Sequence, residues 1–128
     1  MEKISDFRQL RVWQKAMEVV KDVYQQTRDF PREELYGLTS QLRRSAISIP
    51  SNIAEGFKRF HFGDKRHFLS IAAGSVAELE TQLIIAKDLG FFSEQIYDVI
   101  SDKLNHVSKM LTLLRQKIEG TGNWNEVR

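Results

Sequence analysis

Residues 37–66, GLTSQLRRSAISIPSNIAEGFKRFHFGDKR, constrain the fold of this chain more than any other stretch. At about 100° per residue, Leu38, Leu42, Ala46, Ile49, Ile53, Phe57 and Phe60 fall on a single helical stripe. Ser45 and Gly56 lie in the same stripe, and residues that small let a second helix approach closely. Pro50 stands in the middle. A proline removes one backbone donor and clashes with the preceding turn, yet the stripe stays in phase from Ile49 to Ile53. That phase predicts one helix over 38–60, kinked at Pro50. The competing reading is two helices, the second restarted with Ser51 or Asn52 as its cap.

The remainder reads as three further amphipathic helices. The polar residues 1–11 form an arm with at most one turn near Phe7 and Leu10. A first helix is predicted over 12–28, with Val12, Trp13, Ala16, Met17, Val20, Val23, Tyr24 and Thr27 on one face. Phe30-Pro31 ends it, since the residue before a proline is pushed out of the helical region. Residues 32–36 connect to the second helix with 3-10 character. Residues 61–64 read as a turn with Asp64 as N-cap, followed by a third helix over 65–89 that stops at Gly90. Its main stripe is Phe68, Ala72, Ser75, Val76, Leu79, Leu83 and Ala86. A second apolar stripe, Leu69, Ala73, Ala77 and Ile84, lies roughly 100° round the helix. A helix apolar nearly all round is usually buried nearly all round, so this stripe is the candidate oligomer interface. Ser93 caps a fourth helix over 94–118, whose stripe runs from Ile96 to Ile118, and residues 119–128 read as a mobile tail with Trp124 as its one adhesive residue. No segment alternates with period two over strand length. Short connections between long helices make neighbours antiparallel. The expectation is an all-α, up-down-up-down four-helix bundle, with residues 1–128 forming one domain.

Several function classes are disfavoured on composition. The chain has no cysteine, which excludes a disulfide framework and thiolate-ligated zinc and is compatible with a reducing cytoplasm. No signal peptide is expected from MEKISDFRQL, and no stretch reads as the ~20 apolar residues of a membrane span. His61 and His67 are six residues apart, which does not stack two ligands on one helical face, and no Glu-x-x-His pair occurs at Glu55, Glu78 or Glu80. No metal or cofactor is expected. Ser45, Ser48 and Ser51 recur at three-residue steps, but no G-x-S-x-G, Walker-type or dinucleotide-binding glycine pattern accompanies them. Helical serines at that spacing serve packing and backbone hydrogen bonding, and no enzyme activity is expected. Glu78 and Glu80 flank the main stripe of the third helix, and each is expected to pair with a basic residue across a helix or subunit boundary, Arg43 being a candidate.

The charge distribution is more informative than its total. Net charge is only +2, yet residues 43–67 hold six basic residues against two acids, while the rest of the chain has 13 basic and 15 acidic residues. Lys58, Arg59, Lys65 and Arg66, with His61 and His67, fall to either side of the predicted turn and therefore gather at one end of the bundle. Arg43 and Arg44 lie on the same helix about 20 Å away. Phe62 in the turn is placed to stack on a base. These six cations are the candidate phosphate contacts, with little base specificity expected.

Three runs, LRVWQKAMEVVKDVY, YGLTSQLRRSAISIPSNIAEGFKR and FLSIAAGSVAELETQLIIAKDLGF, resemble the four-helix-bundle family of proteins encoded in bacterial 23S rRNA intervening sequences. The accessory variability determinant protein of diversity-generating retroelements is similar to the same family. The resemblance covers about Phe7 to Ile118, and SAISIPSNIAEG, residues 45–56, is its most specific part. It implies an antiparallel four-helix bundle assembled as a homopentamer, a basic surface, and no enzyme activity. In the retroelement branch it also implies nucleic-acid binding and partnership with a reverse transcriptase. Arg43, Arg44 and Lys58 match the family's basic positions, whereas Arg59, Lys65 and Arg66 fall in its more variable turn. The expected function is a cytoplasmic, homo-oligomeric module that binds RNA or DNA. The alternative is a scaffold that binds protein and has no nucleic-acid role.

Overall fold

The computed structural model describes residues 3–124. Four helices account for most of them: α1 (Arg11–Thr27), α2 (Leu38–Lys58), α3 (Phe62–Asp88) and α4 (Glu94–Thr121). Single 3-10 turns at Phe7–Gln9 and Arg32–Glu34 precede α1 and α2. The described residues contain no strand. Each helix packs on its neighbours in chain order, α4 returns to α1, and the diagonal pairs α1/α3 and α2/α4 do not meet. The expected all-α four-helix bundle is therefore observed.

The apolar stripes meet along the bundle axis. Leu42, Ala46, Ile49 and Ile53 of α2 face Leu69, Ala72, Val76, Leu79 and Leu83 of α3, with Val12 to Val23 of α1 and Ile100 to Ile118 of α4 closing the core. α2 runs unbroken through Pro50, so the one-helix reading holds and the restart at Ser51 does not occur. Pro50 has no N–H for the Ala46 carbonyl, but its ring is itself buried, so packing holds the turn. α2 and α3 form the tightest pair. A Cβ on Gly56 would lie 3.3 Å from Phe68 Cβ and 3.4 Å from the Lys65 carbonyl oxygen. Alongside this crossing runs a polar seam. The Ser45 hydroxyl bonds Gln82 Oε1 at 2.6 Å, and the Ser75 hydroxyl donates to Ser48 Oγ at 2.7 Å. Lys103 of α4 reaches Asp22 of α1 at 2.8 Å, and that hydrogen bond, first among its causes, raises the Lys103 pKa.

Several boundaries differ from expectation, each for a local reason. α2 stops at Lys58, so Phe60 leaves the stripe and is 96% exposed. α3 begins at Phe62 with His61 as its N-cap residue, which places Asp64 in the first turn and Gly63 inside the helix. The turn is thus residues 59–61. α4 passes through Gly120 and ends at Gly122, whose φ of 70° is the left-handed conformation glycine tolerates. The expected mobile tail is not found over its described part: residues 119–121 are helical and Trp124 is buried at 7% exposure. Residues 125–128 of that tail lie outside the described residues. The arm is tied down as well, with Leu10 fully buried. Gly90, at φ 80°, and the Ser93 cap on Ile96 N–H act as predicted.

α3 also corrects the membrane reading. By length and composition alone it could cross a bilayer, with mean hydropathy 1.3 in its most apolar window. Its inner face nevertheless builds the core, and Glu78 and Glu80 interrupt the outer face.

The crossing at Gly56 and the open glycines of α3 should respond oppositely to added side chains. Gly56→Leu is expected to cost about 1–3 kcal/mol by overpacking. Gly63→Ala and Gly74→Ala, where a Cβ would meet nothing within 4 Å, should each add about 0.5–1 kcal/mol. Urea denaturation of the three variants checks this.

Candidate nucleic-acid interface

The end of the bundle where α2 hands over to α3 carries most of the local positive charge. A turn of only three residues, Arg59–His61, separates the two helices, so Lys58 and Arg59 lie beside Lys65 and Arg66. His61 and His67 are exposed at the same end. The fold adds two residues that helical periodicity did not place there. Phe7, from the N-terminal turn, and Trp124, after α4, both return to this end.

Each cation lies on an aromatic ring. Lys58 Nζ is 6.0 Å from the Phe7 ring centroid and Lys65 Nζ 5.4 Å from that of Trp124. The Arg59 guanidinium lies 4.9 Å over Phe68 and that of Arg66 5.8 Å from Phe62. The rings are held in turn: Phe7 packs edge-on against Trp13 at 5.4 Å, and Trp124 against Phe57 at 5.1 Å. Such cation–ring contacts contribute about 0.5–1 kcal/mol each at exposed sites, and they fix the stems while leaving the charged heads at the surface. Two cations also touch acids. Arg59 pairs with Glu55 at 3.2 Å and Arg66 with Glu119 at 3.5 Å, both in the open. Exposed pairs of this kind contribute little, so either arginine can exchange its carboxylate for a phosphate at small cost.

The arm under Lys58 is set by Asp6. Its carboxylate accepts from the Arg8 N–H at 2.8 Å, and Gln9 Oε1 accepts from the Asp6 N–H at 3.1 Å, a reciprocal cap. The Arg8 backbone hydrogen bond is the largest cause and outweighs an opposing desolvation, and with smaller help from the Arg8 guanidinium and the Lys58 charge it holds the Asp6 carboxyl below its ordinary range.

Arg43 and Arg44 do not join this cluster. They line a separate open groove of about 730 Å³ with Tyr24, Tyr36, Thr39 and Ile47. Arg43 Nε donates to Thr27 Oγ1 at 2.9 Å, and its guanidinium lies 4.6 Å over Tyr24. Within one chain Arg43 does not pair with Glu78 or Glu80, because Arg43 faces α1 and the two glutamates sit on the outside of α3. Glu78 and Glu80 form no ion pair among the described residues. Thr39 Oγ1 is buried at the groove without a hydrogen-bond partner among the described residues.

The interface stripe divides. Leu69 is 1% exposed and belongs to its own bundle's core, and Ala73 packs half-buried beside it. Ala77 and Ile84 are exposed, joined by Ile71 and Ile85. The expected stripe therefore sat too close to the core face, and the outward apolar surface of α3 is Ile71, Ala77, Ile84 and Ile85. No three potential metal ligands gather among the described residues.

Because the Asp6 pKa is depressed on folding, the stabilisation from this cap is fully present above the ordinary value of 3.8 and is lost as pH falls through the depressed value. An NMR titration should show the Asp6 carboxyl ionising below 3.8, with the Arg8 and Gln9 amides shifting in step. Asp6→Ala should remove those shifts and loosen the arm above the ordinary value of 3.8, with the difference from the unaltered chain vanishing as pH falls through the depressed value.

No curated protein matches the chain significantly. A family model described as 23S rRNA-intervening sequence protein matches residues 8–113, from the first turn to the penultimate turns of α4. On that match, and with the bundle it accompanies, the chain belongs to the 23S rRNA-intervening sequence protein family.

Proposed function

We propose that this chain is a non-enzymatic, homo-oligomeric nucleic-acid-binding module that works as a homopentamer in the cytoplasm. The observation that carries the reading is the basic end: Lys58, Arg59, Lys65 and Arg66, each held on a ring, together with Arg8 outnumber Asp6, Glu55, Asp64 and Glu119 around them. One such end is a weak electrostatic site. Phosphate binding strengthens with each cation engaged, so repetition of the patch around an axis turns it into a strong one. The outward apolar face of α3 supports assembly, since a second copy would cover Ile71, Ala77, Ile84 and Ile85. Arg43 and Arg44, in their own groove, supply a second row of phosphate contacts. The groove also supports a second reading, a protein-binding scaffold, because Tyr36 in its wall is 93% exposed.

Fluorescence anisotropy with a labelled single-stranded RNA and a duplex DNA at about 50 and 200 mM salt separates the two. Affinity should fall at least tenfold between those salts, and Lys65→Glu/Arg66→Glu should flatten the dependence. Absence of binding at the lower salt would leave the scaffold reading. For assembly, light scattering should give five times the 14.9 kDa of one chain, and Ala77→Glu should reduce it to a single chain with unchanged helicity. A single-chain mass for the unaltered protein at micromolar concentration would refute the oligomer.

A further inference from the structure

We propose that Phe60 is a stacking platform for an unpaired base, so that the basic end takes single-stranded nucleic acid in preference to duplex. The inference rests on the nucleic-acid-binding reading above and deepens it. Every other phenylalanine and tryptophan ring at this end is engaged among the described residues: Phe7 with Trp13, Phe57 with Trp124, Phe62 under Arg66 and Phe68 under Arg59. Phe60 makes no ring or cation contact among the described residues and is 96% exposed. It is the middle residue of the three-residue turn, and both flanking residues are extended, Arg59 at φ −83°, ψ 147° and His61 at φ −81°, ψ 135°. The ring therefore stands off the end of the bundle instead of folding back into the core.

Its surroundings decide what the ring can meet. The adjacent residues are Lys58, Arg59 and His61, and Lys65 and Arg66 follow one turn into α3. A partner protein's apolar side chain would need an apolar rim, and the other exposed apolar ring beside the turn among the described residues is Phe62, beneath Arg66. A nucleotide fits both features at once. Its phosphates meet the flanking cations while its base lies on the ring, a contact that every base can make and that carries little sequence preference. In a duplex each base has both faces covered by its neighbours, so only the phosphates are available and Phe60 adds nothing. A single strand offers both contacts.

The test compares a labelled single strand of about 16 nucleotides with the same strand annealed to its full complement, by anisotropy at one salt concentration. The proteins are the unaltered chain, Phe60→Ala, Phe60→Trp and Lys65→Glu/Arg66→Glu. Phe60→Ala should weaken single-strand binding about tenfold and leave duplex binding unchanged. Phe60→Trp should retain the single-strand preference, and the double charge reversal should weaken both ligands. Circular dichroism should be the same for both Phe60 variants, because the side chain contributes nothing to the core. Equal effects of Phe60→Ala on the two ligands, or none on either, would overturn the stacking role while leaving the electrostatic site in place. No binding of either ligand by the unaltered chain at about 50 mM salt would overturn the stacking role together with the reading on which it rests.

Discussion

The close approach of α2 and α3 is the contact on which the rest depends. Gly56 leaves room for Phe68 and for the Lys65 carbonyl, and Ser45, Ser48, Ser75 and Gln82 satisfy one another along the same seam. Two helices this close can be joined by a very short turn, and three residues suffice. The short turn in turn forces the last cations of α2 against the first cations of α3. The local charge is thus a consequence of packing. A bulkier residue at position 56 would spread the helices and disperse the basic end without touching a charge.

The second organising fact is that α3 is apolar on two opposite sides. One side completes the core through Leu69, Ala72, Val76, Leu79 and Leu83. The other presents Ile71, Ala77, Ile84 and Ile85 to the outside. A hydrophobic face of this kind is tolerable in one chain but is better covered. The glutamates on it, Glu78 and Glu80, limit what can cover it, since a partner must leave them in water or offer them a cation.

Helical periodicity located all four helices, the continuity of α2 through Pro50 and most of the core. It failed where a helix ended. Phe60 fits the α2 stripe on paper, but the stripe has meaning only while the helix lasts, and α2 stops at Lys58. Gly63, expected in the turn, and Gly120, expected in the tail, are both helical, because a single glycine costs a helix only about 1 kcal/mol. Leu69 was placed on an outer stripe because the core face of α3 is broader than one row. Of the candidate site, the cations on either side of the turn were legible from spacing alone. Their aromatic supports, Phe7 and Trp124, were not, because each comes from outside the periodic segments and is brought in by topology. The separation of Arg43 and Arg44 from the cluster followed directly from helix length.

An even number of antiparallel helices brings the first and last described segments to the same end, and here both rest on the basic cluster through Phe7 and Trp124. The opposite end is closed independently by Phe30, whose ring lies 5.3 Å from that of Phe91 and 5.0 Å from that of Phe92. The order of the helices along the chain is therefore separable from their arrangement in space. A circular permutant that links the two segments and opens the loop at Gly90 would keep every helix contact.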